Sequence, residues 1–211
     1  VEPSSVRVED STGTQHYFLF SSGAVRAFWR GENNTNDSSG NNYVGTWSGS
    51  SEYEDSGSIR TTAFKFNGTS YITGNQPFLP TGGTLSLWFK YNGSCQNESP
   101  GATKVILGSV MYANGQFINR TPTLFVRSSI QPPRPCHLWF EFGGQRDNVS
   151  PGKPSGIDIM DNVWYHAAIT YDTEGTVTGY VNGVQCPTVD GSECVWRPLK
   201  PTAFFLSMTI G

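Results

Sequence analysis

The groups that could move a proton or attack a bond are few in this chain, and their spacing suits neither task. His16, His137 and His166 stand far apart in sequence, and none has a serine or cysteine beside it in the strand–turn–helix setting that exposes a nucleophile. Glu52, Glu54 and Asp55 cluster, but within a polar stretch rich in Asn, Ser and Gly. Hydrolysis of a glycosidic bond needs two carboxyl groups facing each other across it. The one acid set in an aromatic strand pattern is Glu141, in Trp139-Phe140-Glu141-Phe142, and a solvent-facing strand residue accounts for it. No catalytic residue is assigned, and the chain is expected not to be an enzyme.

The aromatic side chains offer a different chemistry. Flat rings with polar neighbours suit stacking on the apolar faces of sugars. Successive side chains of a strand point to opposite faces, so residues 84–91 send Leu85, Leu87 and Phe89 one way and Ser86, Trp88 and Lys90 the other. The same rule sets Trp139 and Glu141 against Leu138, Phe140 and Phe142. With the aliphatic and Phe set as core, Trp88, Trp139 and Tyr180 are expected on an outward sheet face. Trp88, Trp139, Tyr180 and Glu141 are therefore the candidate ligand-binding residues. The competing expectation is that these rings pack beneath the long 131–160 connection or against the N-terminal segment.

Strands must position these residues, because nothing in the chain reads as a helix. Apolar residues nowhere recur at i, i+3, i+4, i+7 over ten or more positions without an intervening Gly or Pro. Alternating segments recur instead, at 5–9, 17–20, 25–29, 62–66, 70–73, 84–91, 104–107, 123–127, 137–142, 164–171, 176–181 and 203–210. The polar stretch 31–57 reads as one long loop. Asn-Gly pairs at 67–68, 92–93, 114–115 and 182–183 fit type I′ hairpin turns, since both residues tolerate positive φ. Asn182-Gly183, flanked by 178–181 and 184–185, is the sharpest of them. The 13 Phe, 9 Tyr and 6 Trp, punctuated by 24 Gly and 13 Pro, point the same way. The pattern predicts an all-β, two-sheet antiparallel sandwich spanning 1–211 as a single domain. Gln131-Pro-Pro-Arg-Pro135 is linker-like but too short to divide it.

Composition narrows the partners. A net charge of −3 and the lack of a Lys/Arg cluster argue against nucleic acid. No apolar run approaches the roughly 18 residues of a spanning helix, so no membrane insertion is expected. Val1-Glu2-Pro3 has neither a basic nor an apolar leader segment, and the chain reads as a processed or excised piece. Cys95, Cys136, Cys186 and Cys194 match no zinc spacing, and an even count fits either two disulfides or four buried thiols. Proximity favours Cys186–Cys194, leaving Cys95–Cys136. Half of the asparagines begin an Asn-x-Ser/Thr sequon: Asn33, Asn36, Asn67, Asn92, Asn97, Asn119 and Asn148. That excess is expected of an extracellular, cell-surface or virion-surface glycoprotein. In Asn97, Asn119 and Asn148 a Pro directly follows the sequon hydroxyl residue, which is expected to lower their use.

Three ordered segments carry a resemblance. They are Ala27-Phe28-Trp29-Arg30 through Asn41, Ala63-Phe64-Lys65-Phe66-Asn67-Gly68 through Lys90, and Asn162-Val163-Trp164-Tyr165-His166-Ala167-Ala168-Ile169 through Gly183. Together with Met208-Thr209-Ile210-Gly211, they resemble the laminin-G-like, concanavalin-A-like lectin jelly-roll superfamily. The resemblance implies a jelly roll over roughly residues 25–211, and a range of functions from lectin and adhesion module to glycosidase. It implies no paired-acid motif here, since 52–55 does not match the E-x-D-x-E strand of jelly-roll glucanases. Two departures stand out. The sequence stops at Ile210-Gly211, short of the family's final strand, and residues 1–24 are extra and strand-like, so 5–9 is expected to fill the edge that strand would occupy. The family's calcium sites do not carry over. Asp37, Asn41 and Asp55 could supply oxygen ligands, but a polar loop looks the same without metal, so no cofactor is assigned. The expected function is recognition of cell-surface or matrix carbohydrate, with a protein-receptor-binding spike head or adhesin as the alternative, in either case as part of a multivalent assembly.

Overall fold

The computed structural model describes residues 4–9, 15–20, 25–57, 61–74, 82–93, 97–113, 116–129, 135–141, 153–172, 176–186, 195–196 and 208–210. The secondary structure of these residues is strand and turn, and among them no helix is long and apolar enough to cross a membrane.

Two antiparallel sheets make a sandwich. The larger runs β11 (Lys153–Ile159), β10 (Cys136–Glu141), β9 (Gln116–Ser128), β8 (Thr103–Ala113), β16 (Met208–Ile210), β6 (Tyr71–Gly74) and β3 (Thr46–Ser48). The smaller runs β14 (Val184–Gln185), β13 (Val177–Val181), β12 (Trp164–Tyr171) and β7 (Gly83–Lys90), with β15 (Val195–Trp196) also paired to β13. The alternation that marks each strand explains why the sheets meet. Leu124 and Val126, Leu138 and Phe140 face inward from the larger sheet, and Ala167 and Ile169, Val177 and Val181 from the smaller. All eight are almost fully buried. Interdigitated inner faces of this kind form the shared core of a sandwich.

Turn chemistry sets the register that matters below. Asn182 and Gly183 have φ of 51° and 79°, as a type I′ turn requires, and Val181 pairs directly with Val184 across it. Asn67-Gly68 is not of this type, since only its glycine has positive φ.

The structure departs from the sequence expectation in four places. Residues 25–28 are not strand, and Trp29 makes an isolated bridge to Asp37. The supposed loop 31–57 contains β3 and β4 (Glu52–Asp55), the latter paired with β5 (Thr62–Lys65). Trp47 and Tyr53 anchor this stretch: Trp47 lies 6.0 Å from the Tyr53 ring, 6.0 Å from Phe64 and 5.3 Å from Phe66. The 131–160 connection contains β11, an edge strand, where Pro154 can sit without costing a ladder bond. Finally, 5–9 does not fill a sheet edge. β1 (Ser4–Glu9) pairs in register with β2 (Gln15–Phe20), from Ser4↔Phe20 to Glu9↔Gln15, in a two-stranded sheet of its own. Of the strand read at 203–210, β16 is its end, and 203–207 lies outside the described residues.

Candidate functional site

The outward face of the smaller sheet is assembled by register. Leu85, Leu87 and Phe89 of β7 turn to the core, so Thr84, Ser86, Trp88 and Lys90 turn away from it. Directly opposed residues share a face. Lys90 stands opposite Trp164 and Trp88 opposite His166. Ser86, Ala168, Tyr180 and Gln185 form one row across four strands, and Thr84, Thr170 and Thr178 form the next. Two candidates from the sequence, Trp88 and Tyr180, thus belong to one face.

Trp88 is 44% exposed, an unusual state for so large an apolar ring. His166 lies against it, with ring centroids 5.2 Å apart. The hairpin tip holds His166 in place: its backbone N–H donates to Asn182 Oδ1 at 2.9 Å, and the Asn182 N–H donates to its carbonyl at 2.8 Å. Ala168 contributes only a methyl group between Ser86 and Tyr180, and its neighbours largely cover it. Lys90 is already engaged. Its ammonium is 2.9 Å from Glu54 Oε1 and 5.2 Å from the Trp164 ring centroid. The rows therefore present rings, hydroxyls and a carboxamide, with the one cation paired.

Burial holds the His166 imidazole below its ordinary pKa. The sign of the consequence follows from linkage. As pH falls below about 6.5, the unfolded chain takes up a proton that the folded chain resists, so stability falls. The loss levels off once the folded imidazole also titrates. His166→Gln should flatten this part of a melting-temperature profile against pH. An unchanged slope would assign the acid sensitivity to other groups.

The remaining candidates lie elsewhere. Trp139 belongs to β10 in the larger sheet and points away from the shared core, as Leu138 and Phe140 point into it. Trp88 and Trp139 are thus on the outer faces of two different sheets and form no common site. Trp139 is also occupied: its ring stacks on buried Phe125 at 5.9 Å and 14°, and the Arg127 guanidinium sits 5.4 Å from its centroid. Glu141 ends β10 opposite Thr123, and its side chain lies outside the described residues. His166 is the site residue that sequence reasoning missed as a ligand candidate. Its cue was cross-strand register, which a single strand's alternation does not reveal.

The polar loop proves to be a hydrogen-bonded structure with a carboxylate at its centre. Asp37 Oδ1 accepts from the Phe28 and Ser39 N–H groups, and Oδ2 from Ser39 Oγ and the Tyr43 N–H, at 2.7–3.0 Å. Asn41 Nδ2 donates to the carbonyls of Val25 and Arg26, and Asp55 Oδ1 accepts from the Gly57 N–H. Hydrogens aimed at both Asp37 oxygens are the reverse of a cation's requirement. Among the described residues no group of three or more His, Cys, Asp and Glu side chains could hold a metal ion. Of the calcium set considered from sequence, Asp37 is thus spent on hydrogen bonds.

Cys136 and Cys186 are buried core residues, and each takes part in a disulfide. The expected pairing also involves Cys95 and Cys194, which lie outside the described residues. Asn33, Asn36, Asn67, Asn92 and Asn97 are exposed. The side chain of Asn119, and Asn148 altogether, lie outside the described residues.

With this geometry in hand, comparison with known proteins gives the class. A laminin-G-type family model, described as the concanavalin A-like lectin/glucanases superfamily, matches residues 66–207. The chain belongs to that superfamily. No curated relative matches the sequence. Among solved structures, domain 4 of AbnA, a GH43 extracellular arabinanase from Geobacillus stearothermophilus in complex with arabinotriose, is 22% identical with a TM-score of 0.53, over 88% of this chain and 82% of that one. Botulinum neurotoxin type C, whose cell entry depends on interaction with two ganglioside molecules, is 15% identical with a TM-score of 0.56, over 90% of this chain and 42% of that one. The binding domain of botulinum neurotoxin DC, in complex with rat synaptotagmin II, is 14% identical with a TM-score of 0.51, over 90% and 44%. The chain spans less than half the length of these toxin chains, and likeness at such identity shows the fold.

Proposed function

We propose that this chain acts as one non-catalytic, extracellular recognition unit that binds cell-surface or matrix carbohydrate on the outward face of its smaller sheet. The observation that carries the reading is Trp88, an exposed ring with His166 against it and the Ser86 and Tyr180 hydroxyls in the next row. The arabinotriose and ganglioside named for two structures of this fold support the ligand class. Oxidised Cys136 and Cys186 and five exposed sequon asparagines support an extracellular glycoprotein. On this reading Cys186 pairs with Cys194 and Cys95 with Cys136, and non-reducing peptide mapping tests that pairing.

A flat site with a few hydrogen bonds binds weakly. Millimolar affinity is only about 4 kcal/mol, so attachment would rely on several copies acting together. A glycan array probed with a multivalent form of the domain should give signal, and Trp88→Ala should abolish it with the circular dichroism spectrum unchanged. Signal that survives this substitution moves the site elsewhere.

A second reading, capture of a protein receptor, is favoured by one observation. Met160 and Val163 are 61% and 43% exposed, in the turn before β12. By register this turn lies at the end of the sheet next to Trp88. A blank array alongside a receptor interaction lost in Met160→Asp would replace the carbohydrate reading with this one.

A further inference from the structure

Resting on the carbohydrate reading of the Trp88 face, we infer that its ligand is an uncharged oligosaccharide laid obliquely across the strands from Trp88 to Tyr180.

Two features of the face set the length. Trp88 and Tyr180 are two strands apart and one row apart, with His166 and Ala168 between them. Strands lie about 4.8 Å apart and rows on one face about 6.8 Å, which places the two rings about 12 Å from each other. One sugar ring cannot touch both. The floor between them is formed by small side chains, Ser86 and the largely covered Ala168, which is 7% exposed, and Gln185 continues the same row beyond Tyr180. A chain of sugars can therefore lie along it, stacked on an aromatic ring at each end, with hydroxyl and carboxamide partners beneath.

Charge sets the class. Thr84, Ser86, Thr170, Thr178, Tyr180 and Gln185 are neutral hydrogen-bonding groups. Lys90, the one cation of these rows, is held by Glu54 and lies against Trp164. A carboxylated or sulfated sugar would find no unpaired positive partner among the described residues of the face, and would lose hydration without return. A neutral sugar gives up nothing comparable.

The test is a chain-length and charge series followed by NMR on the intact domain with fluorinated tryptophan. The probes are neutral linear arabino-, xylo- and gluco-oligosaccharides of increasing length, sialyllactose beside lactose, and a heparin-derived disaccharide. Neutral chains long enough to bridge both rings should shift the Trp88 resonance and bind roughly tenfold tighter than the monosaccharide, a gain of about 1.4 kcal/mol. Tyr180→Ala should remove that gain while leaving the monosaccharide response, and added salt should change little. Sialyllactose should bind no better than lactose. Preference for the charged probes, or a length gain that survives Tyr180→Ala, overturns the inference but leaves the Trp88 face as a carbohydrate site. If no sugar perturbs Trp88, the carbohydrate reading falls as well.

Discussion

Phe140→Ala should lower stability by about 3–5 kcal/mol, enough to shift the melting temperature by roughly 10 °C in a chain of this length. The ring is fully buried and bridges the sandwich. It leaves β10 in the larger sheet and reaches the backbone of Gly179 in β13. A Cβ placed on Gly179 would fall 3.0 Å from Phe140 Cδ2 and 3.2 Å from Cys186 Sγ. Gly179 is therefore glycine because the ring comes so close, and removing the ring leaves a void that two sheets cannot both collapse into. The partner substitution sharpens the test. Gly179→Ala alone should destabilise by overpacking. In the Phe140→Ala background its methyl enters the vacated space, so the double variant should be more stable than the sum of the two costs predicts. Urea denaturation of the four proteins decides it. Strict additivity would mean that the ring and the glycine do not share one packing site.

The strongest strands were legible because they obey one rule along their whole length. β7 alternates cleanly, and the structure turns Leu85, Leu87 and Phe89 to the core as the pattern requires. The hairpin at Asn182-Gly183 was legible because positive φ at two adjacent positions has few chemical solutions. Residues 25–29 misled because alternation reports a face, and not what holds it. Trp29 is held by its own indole, which donates to the Tyr43 carbonyl at 2.7 Å and packs on Gly74 of β6. β3 and β4 were hidden by their length, since three or four residues in a Ser- and Gly-rich context carry too little pattern to separate from loop.

The site was half legible for a related reason. Alternation tells which way Trp88 and Trp139 point relative to their own strands, and both do point outward. It cannot tell which sheet a strand joins, because that choice depends on pairing between distant segments. Alternation alone therefore groups Trp139 with Trp88, although β10 and β7 belong to opposite layers. His166 escapes the same rule for the converse reason: it acquires a role only once β12 is aligned on β7.

Asp37→Ala should cost about 2–3 kcal/mol, and the loss should be local before it is global. The carboxylate collects three backbone N–H groups and one hydroxyl from residues 28–43, and it does so for a segment with almost no strand pairing of its own. Alanine leaves the Phe28, Ser39 and Tyr43 N–H groups to find water. Trp29 then loses the frame that holds Tyr43 against its indole and holds the ring over Gly74. Hydrogen exchange should accelerate across 28–43 and leave β9, β10 and β12 protected. Alanine is the useful choice, since Asp37→Asn would create an Asn-x-Ser acceptor beside the one at Asn36. The pH dependence supplies an independent check. Partial burial alone would raise this carboxyl, but the hydrogen bonds from Ser39, Phe28 and Tyr43 outweigh it and hold the pKa below its ordinary value. Its contribution is then complete above about pH 4, the unfolded carboxyl's range, and disappears as pH falls through the lower folded pKa. The stability gap between the parent protein and Asp37→Ala should therefore be constant near neutrality and close on acidification. A gap that persists at low pH would mean that the side chain acts through its shape and not its charge.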